Sequence, residues 1–143
     1  MSELPEKPDG AAGQAANPDK RHAVLIVEDT VELAEILRAT LEHLDLQVYH
    51  EAHGLKAIDR YFEVEPDLVL LDIALPDLTG WKVLDTIREN RRGGKEPKIL
   101  VITAYGDPAN RLMGKLQDVH GYLVKPFKPG DVESEVRRAL GLN

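Results

Sequence analysis

Five short apolar runs alternate with five stretches of helical spacing, a pattern that predicts an α/β domain whose parallel sheet is wound by right-handed crossovers. The runs are continuous rather than alternating, as suits strands covered on both faces. The size agrees: 143 residues, 43% hydrophobic and 30% charged, suit one globular domain and would be cramped by two.

Residues 1 to 21 stand apart from this pattern. They contain Pro5, Pro8, Pro18, Gly10 and Gly13, and their only large apolar side chains are Met1 and Leu4. Such a segment cannot offset its ordering entropy, so a disordered tail is expected at 1 to 21 and the domain at 22 to 143. The first strand is Ala23-Val24-Leu25-Ile26-Val27, and Leu33, Ile36, Leu37, Leu41 and Leu44 give the first helix its apolar face. A weaker run around Val48 is the second strand, followed by a helix with Leu55, Ile58 and Phe62 inward. Leu68 to Leu71 form the third strand, and Trp81, Leu84 and Ile87 the buried face of the third helix. Ile99 to Ile102 are the fourth strand, with Ala109, Leu112, Met113, Leu116 and Val119 recurring at helical spacing behind it. Tyr122-Leu123-Val124 is the fifth strand, and Val132, Val136 and Leu140 mark the last helix.

Composition excludes several function classes. Without cysteine there is no disulfide scaffold, thiolate zinc site or cysteine catalysis. The longest apolar run, Ala23 to Val27, is far short of the ~20 residues of a membrane span, and the N-terminus lacks a signal-peptide core. A cytoplasmic location with no membrane partner is therefore expected. The net charge of −7 argues against direct nucleic-acid binding and favours divalent cations or basic protein patches. His22, His43, His50, His53 and His120 show no ligand spacing and read as surface or structural. Arg88, Arg91, Arg92 and Lys95 around Gly93-Gly94 read as a solvated helix end.

In open parallel sheets, ligands sit outside the carboxyl ends of the strands. The first strand ends in Glu28-Asp29 and the third in Asp72, so three carboxylates converge if these strands are neighbours. Their mutual repulsion invites a hard cation, and magnesium, which prefers oxygen ligands, is the natural candidate. The fourth strand ends in Thr103 and the fifth in Lys125-Pro126. A hydroxyl and an ammonium opposite carboxylates and a divalent cation make a socket for a phosphoryl group, with Asp72 as the nucleophile. Taken singly, each residue has a plain structural explanation as a helix cap, strand end or turn. Their joint placement after four separate strands carries the chemical reading.

These residues lie in Val24-Leu25-Ile26-Val27-Glu28-Asp29, in Asp67-Leu68-Val69-Leu70-Leu71-Asp72 followed by Leu75-Pro76-Asp77-Leu78-Thr79-Gly80, in Ile102-Thr103-Ala104, and in Gly121-Tyr122-Leu123-Val124-Lys125-Pro126-Phe127. With these motifs, residues 22 to 141 resemble the receiver domain of bacterial response regulators in two-component signalling. The resemblance implies a flavodoxin-like receiver fold, with a five-stranded parallel sheet of order 2-1-3-4-5 flanked by five helices. It implies that Asp72 accepts a phosphoryl group from a sensor histidine kinase or phosphotransfer protein, assisted by Thr103 and Lys125. Glu28, Asp29, Asp72 and the backbone carbonyl of Ala74 would bind Mg2+, Thr103 and Tyr122 would form the switch pair, and the Lys125-Pro126 bond would be cis.

The expected function is that of a stoichiometric phosphoacceptor and conformational switch with slow self-dephosphorylation, not a turnover enzyme. The face from the fourth to the fifth helix, with Met113, Leu116 and Tyr122, is the expected readout surface for a downstream protein target or a missing output domain, and the place where a homodimer would form. Asp118-Val119-His120-Gly121 lacks the paired acids that many winged-helix transcription regulators use in such dimers. Tyr105, two positions after Thr103, is expected to shield an acyl phosphate from water. The competing enzyme reading is a Mg2+-dependent phosphatase of haloacid dehalogenase type, but Ala74 stands where its second acid would be. A flavin-binding flavodoxin is disfavoured by the acidic first loop, Glu28-Asp29-Thr30-Val31-Glu32.

Overall fold

The computed structural model describes residues 21–94, 96–104 and 108–142. The expectations for the tail up to residue 20, for Lys95 and for Tyr105 lie outside the described residues. Strands and helices alternate as β1 (Ala23–Val27), α1 (Val31–His43), β2 (Gln47–Glu51), α2 (Gly54–Val64), β3 (Leu68–Asp72), α3 (Gly80–Asn90), β4 (Lys98–Thr103), α4 (Pro108–Leu116), β5 (Gly121–Val124) and α5 (Pro129–Leu140). The five strands form one parallel sheet in the order β2-β1-β3-β4-β5, as the family resemblance implied.

The continuous apolar runs are explained by two buried faces. Successive strand side chains point to opposite sides. Val24, Ile26, Leu68, Leu70, Leu100 and Ile102 therefore meet Leu37 and Leu41 of α1 and Val132 and Val136 of α5. Leu25, Val27, Val69, Leu71, Ile99 and Val101 meet Ala57 and Tyr61 of α2 and Val83, Leu84 and Ile87 of α3. Each fully buried Leu or Ile contributes about 1.5–3 kcal/mol of hydrophobic stabilisation before entropy is counted. The edge strand β2 is only half-buried along its length, which is why Gln47-Val48-Tyr49-His50-Glu51 carries the weakest apolar signal.

Several helix faces depart from the expectation. Ile36 of α1 is exposed, as are Leu55 and Phe62 of α2. Helix α2 instead turns Gly54, Ala57 and Tyr61 inward, the neighbouring stripe one position away. Small residues permit that close approach: a Cβ on Gly54 would lie 2.9 Å from Val83 Cγ2 of α3. In α4, Leu112, Met113 and Leu116 are exposed and the one fully buried position among its described residues is Gly114. Trp81 is only partly buried, packed on the α2/α3 side of the core, and its indole N–H donates to Asn110 Oδ1 at 2.9 Å.

The histidines have structural roles where they have partners. His50 Nε2 lies 2.7 Å from the Glu28 carbonyl, and the Ile99 N–H donates to His120 Nδ1 at 3.0 Å. The basic residues near Gly93-Gly94 are partly engaged: Arg88 pairs with Glu96, and Arg91 donates to the carbonyls of Gly93 and Gly94. No helix among the described residues is long and apolar enough to cross a membrane.

Candidate functional site

Register brings the strand ends together. Val27 of β1 pairs with Leu71 of β3, so Glu28 and Asp72 follow side by side. Asp72 pairs with Ile102 of β4, and Thr103 pairs with Val124 of β5, placing Lys125 next in line. Backbone bonds continue past the strands: the Ile73 N–H donates to the Ile102 carbonyl at 3.1 Å, and that of Lys125 to the Thr103 carbonyl at 2.9 Å. Among the described residues, Glu28, Asp72 and Thr103 are the buried polar ones, and all three lie at one edge of the sheet.

One carboxylate oxygen from each of Glu28, Asp29 and Asp72 lies within 4.8 Å of the others. Glu28 is fully buried, while Asp29 is exposed at the rim. Lys125 Nζ lies 3.1 Å from Asp72 Oδ2 and 3.6 Å from Glu28 Oε1, and the Lys125–Pro126 peptide is cis. The other Asp72 oxygen accepts from the Ala74 N–H at 2.8 Å, and Glu28 Oε2 accepts from the Thr30 N–H at 3.1 Å. Glu28 Oε1 is buried with no hydrogen-bond partner among the described residues.

The electrostatics follow from this crowding. Burial, reinforced by the neighbouring Asp72 carboxyl, pushes Glu28 up to about 7; the Thr30 N–H and Lys125 offset only part of that rise. Burial by itself would lower Lys125, but Asp72 and Glu28 together outweigh it and hold the ammonium above its ordinary value. An oxygen-only donor set that includes a buried carboxylate oxygen accepting no hydrogen bond fits a hard divalent cation such as magnesium, and offers no nitrogen or sulfur to a softer metal.

Thr103 and Tyr122 stand at the α4 side of this cluster. Thr103 Oγ1 accepts from Asn110 Nδ2 at 3.3 Å, and Asn110 in turn accepts from Trp81, so one α4 side chain links Thr103 to α3. The half-buried Tyr122 donates its hydroxyl to the Arg111 carbonyl at 3.1 Å, with the Arg111 guanidinium 5.4 Å above its ring. The ring lies against Gly114, where any Cβ would collide with the Tyr122 hydroxyl. A glycine inside a helix costs about 1 kcal/mol relative to alanine. Here it provides the seat for the aromatic ring.

Ala74 lies in the loop between β3 and α3. It is exposed and forms a bridge with Thr79, whose hydroxyl caps α3 by accepting from the Lys82 N–H at 3.1 Å. The carboxyl of Asp77 in the same loop accepts from the N–H groups of Gly54 at 2.8 Å and Leu55 at 3.0 Å. Those two bonds hold it below the usual carboxylate range. Sequence reasoning assigned no role to Asn110, Gly114 or Asp77. The one available signal was a polar or glycine residue interrupting a helical stripe, or an acid inside a turn motif.

Comparison with known proteins gives a consistent result. The family model described as the response regulator receiver domain matches residues 24–137. The "Probable transcriptional regulatory protein SilR" of Salmonella typhimurium is 38% identical over 117 residues, covering 82% of this chain and 50% of that protein. The chain thus spans about half the length of the curated relatives it matches. Among solved structures, the chemotaxis protein CheY4 of Vibrio cholerae aligns with a TM-score of 0.76 at 26% identity, over 83% of this chain and 98% of that one. The receiver domain of the sensor histidine kinase PA1611 of Pseudomonas aeruginosa, with a magnesium ion coordinated in its active-site cleft, aligns with a TM-score of 0.75 at 27% identity, over 85% of this chain and 98% of that one.

Proposed function

Because the chain belongs to the response regulator receiver domain family, a family of signalling switches, we propose that residues 22–143 act as a receiver whose phosphoacceptor is Asp72. The observation that carries this reading is the buried pair Glu28 and Asp72 facing the Lys125 ammonium at the carboxyl edge of the sheet. An Asp72 carboxylate oxygen would attack the phosphorus of a phosphohistidine on a sensor kinase or phosphotransfer protein. The new O–P bond forms as the P–N bond breaks, and the imidazole nitrogen keeps the bonding pair. Lys125 stands against the developing charge and Thr103 offers a hydroxyl to a phosphoryl oxygen, which is the positioning and charge stabilisation that phosphoryl transfer needs.

Glu28, Asp29, Asp72 and the Ala74 carbonyl would hold Mg2+, a reading supported by the oxygen donor set and by the magnesium in the PA1611 receiver. Bound there, the ion would supply positive charge against the phosphoryl oxygens. Ala74 stands where the phosphatase reading needs its second, proton-moving acid, which favours a stoichiometric switch over that reading. Engagement of a phosphorylated Asp72 by Thr103 would shift α4 through Asn110 and release Tyr122 from its seat on Gly114. Relatives named as transcriptional regulators support an output in gene control through a partner or an attached output domain, with the α4-β5-α5 face as its contact and as the place where two copies pair. We place this activity in the cytoplasm, with no direct nucleic-acid contact by these residues.

The test is intact mass after incubation with Mg2+ and acetyl phosphate. Wild type gains one phosphoryl mass and Asp72→Asn gains none. An undiminished adduct on Asp72→Asn defeats the proposal, and rapid catalytic release of phosphate from many substrates would favour the phosphatase.

A further inference from the structure

The loop that carries Ala74 is held between two helix starts. On one side, Thr79 caps α3 through Lys82, the Gly80 N–H donates to the Ile73 carbonyl at 2.9 Å, and Ala74 bridges to Thr79. On the other side, Asp77 spans to α2, 23 positions away in sequence for Gly54, and takes both of the first helical N–H groups with its two oxygens. Those N–H groups have no local partner to take them. His53 occupies the N-cap position in extended geometry, but its side chain makes no capping bond. A carboxylate at a helix N-terminus is favoured by the orphan N–H groups and by the helix dipole. Leu78 packs on the same spot, with its Cβ 3.1 Å from where a Gly54 Cβ would lie.

We propose that Asp77 is a positioning residue for metal binding, fastening the 73–79 loop to the start of α2 so that the Ala74 carbonyl stays beside Asp72. The inference deepens the receiver reading and rests on it. It assigns to an exposed acid outside the carboxylate cluster the task of fixing a ligand that has no side chain of its own to hold it. Groups that orient metal ligands from outside the coordination sphere commonly change metal affinity by about 10- to 100-fold.

The experiment separates loop positioning from helix capping. Mg2+ alone is titrated by calorimetry into the full chain as wild type, Asp77→Ala, Asp77→Asn and the double variant Asp77→Ala/His53→Asp, with thermal unfolding measured in parallel. Aspartate at position 53 supplies α2 with a local cap but leaves the loop untethered. Asp77→Ala should weaken Mg2+ binding about tenfold, Asp77→Asn should fall between it and wild type, and the double variant should regain thermal stability while its Mg2+ affinity stays low. At saturating Mg2+ the Asp77→Ala protein should still take the Asp72 adduct from acetyl phosphate. Mg2+ affinity within twofold of wild type in Asp77→Ala, or recovery of affinity by His53→Asp, overturns the proposal. So does loss of the adduct at saturating Mg2+. Failure of the wild-type protein to bind Mg2+ defeats the receiver reading beneath it and is recognised by the absence of any wild-type signal.

Discussion

Helices α4 and α5 flank β5 from opposite faces, yet they are attached to the sheet in different ways. Helix α5 buries Val132 and Val136 among Leu100, Ile102 and Leu123, and its start is fixed by Pro129 and by Asp131, which accepts from the Lys128 N–H at 2.9 Å. Helix α4 buries Gly114 against the Tyr122 ring and leaves Leu112, Met113 and Leu116 outside. Its polar ties run to the proposed switch residues, through Asn110 to Thr103 and through the Arg111 carbonyl to Tyr122. A helix held by branched side chains in a close-packed core resists displacement. One seated on a glycine and a few side-chain hydrogen bonds can be displaced at little cost, which suits the element nearest a switch. The contrast makes α5 the more firmly packed of the two and is consistent with the proposed role of α4.

Three measurements test this contrast. The largest effect is expected from truncation: Val136→Ala in α5 removes two buried carbons at about 0.8 kcal/mol each and leaves a cavity, for a loss of about 2 kcal/mol. Leu116→Ala in α4 should stay within about 0.5 kcal/mol, as for an exposed position. Urea unfolding of both variants tests this, and equal losses would abolish the distinction. Next in size is the Gly114 seat. With Tyr122→Ala in the background, Gly114→Ala should stabilise the fold by about 1 kcal/mol through helix propensity. With Tyr122 present the clash should cancel that gain and move the tyrosine ring, seen as a coupling energy in the double-mutant cycle and as a shifted Tyr122 NMR signal. Additive effects would show that the ring does not depend on the glycine.

The smallest effect concerns pH. Burial, with Lys98 adding to it, holds His120 below the ordinary imidazole value of 6.5, and its Nδ1, while unprotonated, accepts the Ile99 N–H. The folded pKa is depressed, so the stabilisation is complete above about pH 6.5 and is lost as pH falls through the folded value. Lowering pH to about 5 should therefore speed hydrogen exchange at Ile99, corrected for the intrinsic rate, and leave Val136 unchanged. A His120→Gln variant should lose the difference. Equal acceleration at both amides would mean a global effect and not one confined to the connection between α4 and β5.

The legible and illegible parts of this protein divide by the range of the interaction. Strands β1, β3 and β4 were readable because helices cover both sheet faces, which forces every residue of the run to be apolar. Glu28, Asp29, Asp72, Thr103 and Lys125 stand out because polar residues directly after such runs must lie at the sheet's carboxyl edge; Glu28, Asp29, Asp72 and Lys125 meet there, with Thr103 at the end of the adjoining strand. Leu55 and Phe62 of α2 face outward although they are larger and more apolar than Gly54 and Ala57, while Ile58 packs against the margin of the core. Small residues won there because α3 packs so close to that turn.

Local pattern, with the rule that buried strands are apolar throughout, is enough to set the alternation of strands and helices and to pick out the chemically distinctive residues at the strand ends. Tertiary structure alone decided that Asp77 caps a helix 23 positions earlier, that Asn110 joins Trp81 to Thr103, and that Gly114 is where Tyr122 rests. Each of these pairs residues from different elements, and no local propensity specifies which distant N–H, hydroxyl or ring will arrive beside a given side chain until the sheet has set the elements in place.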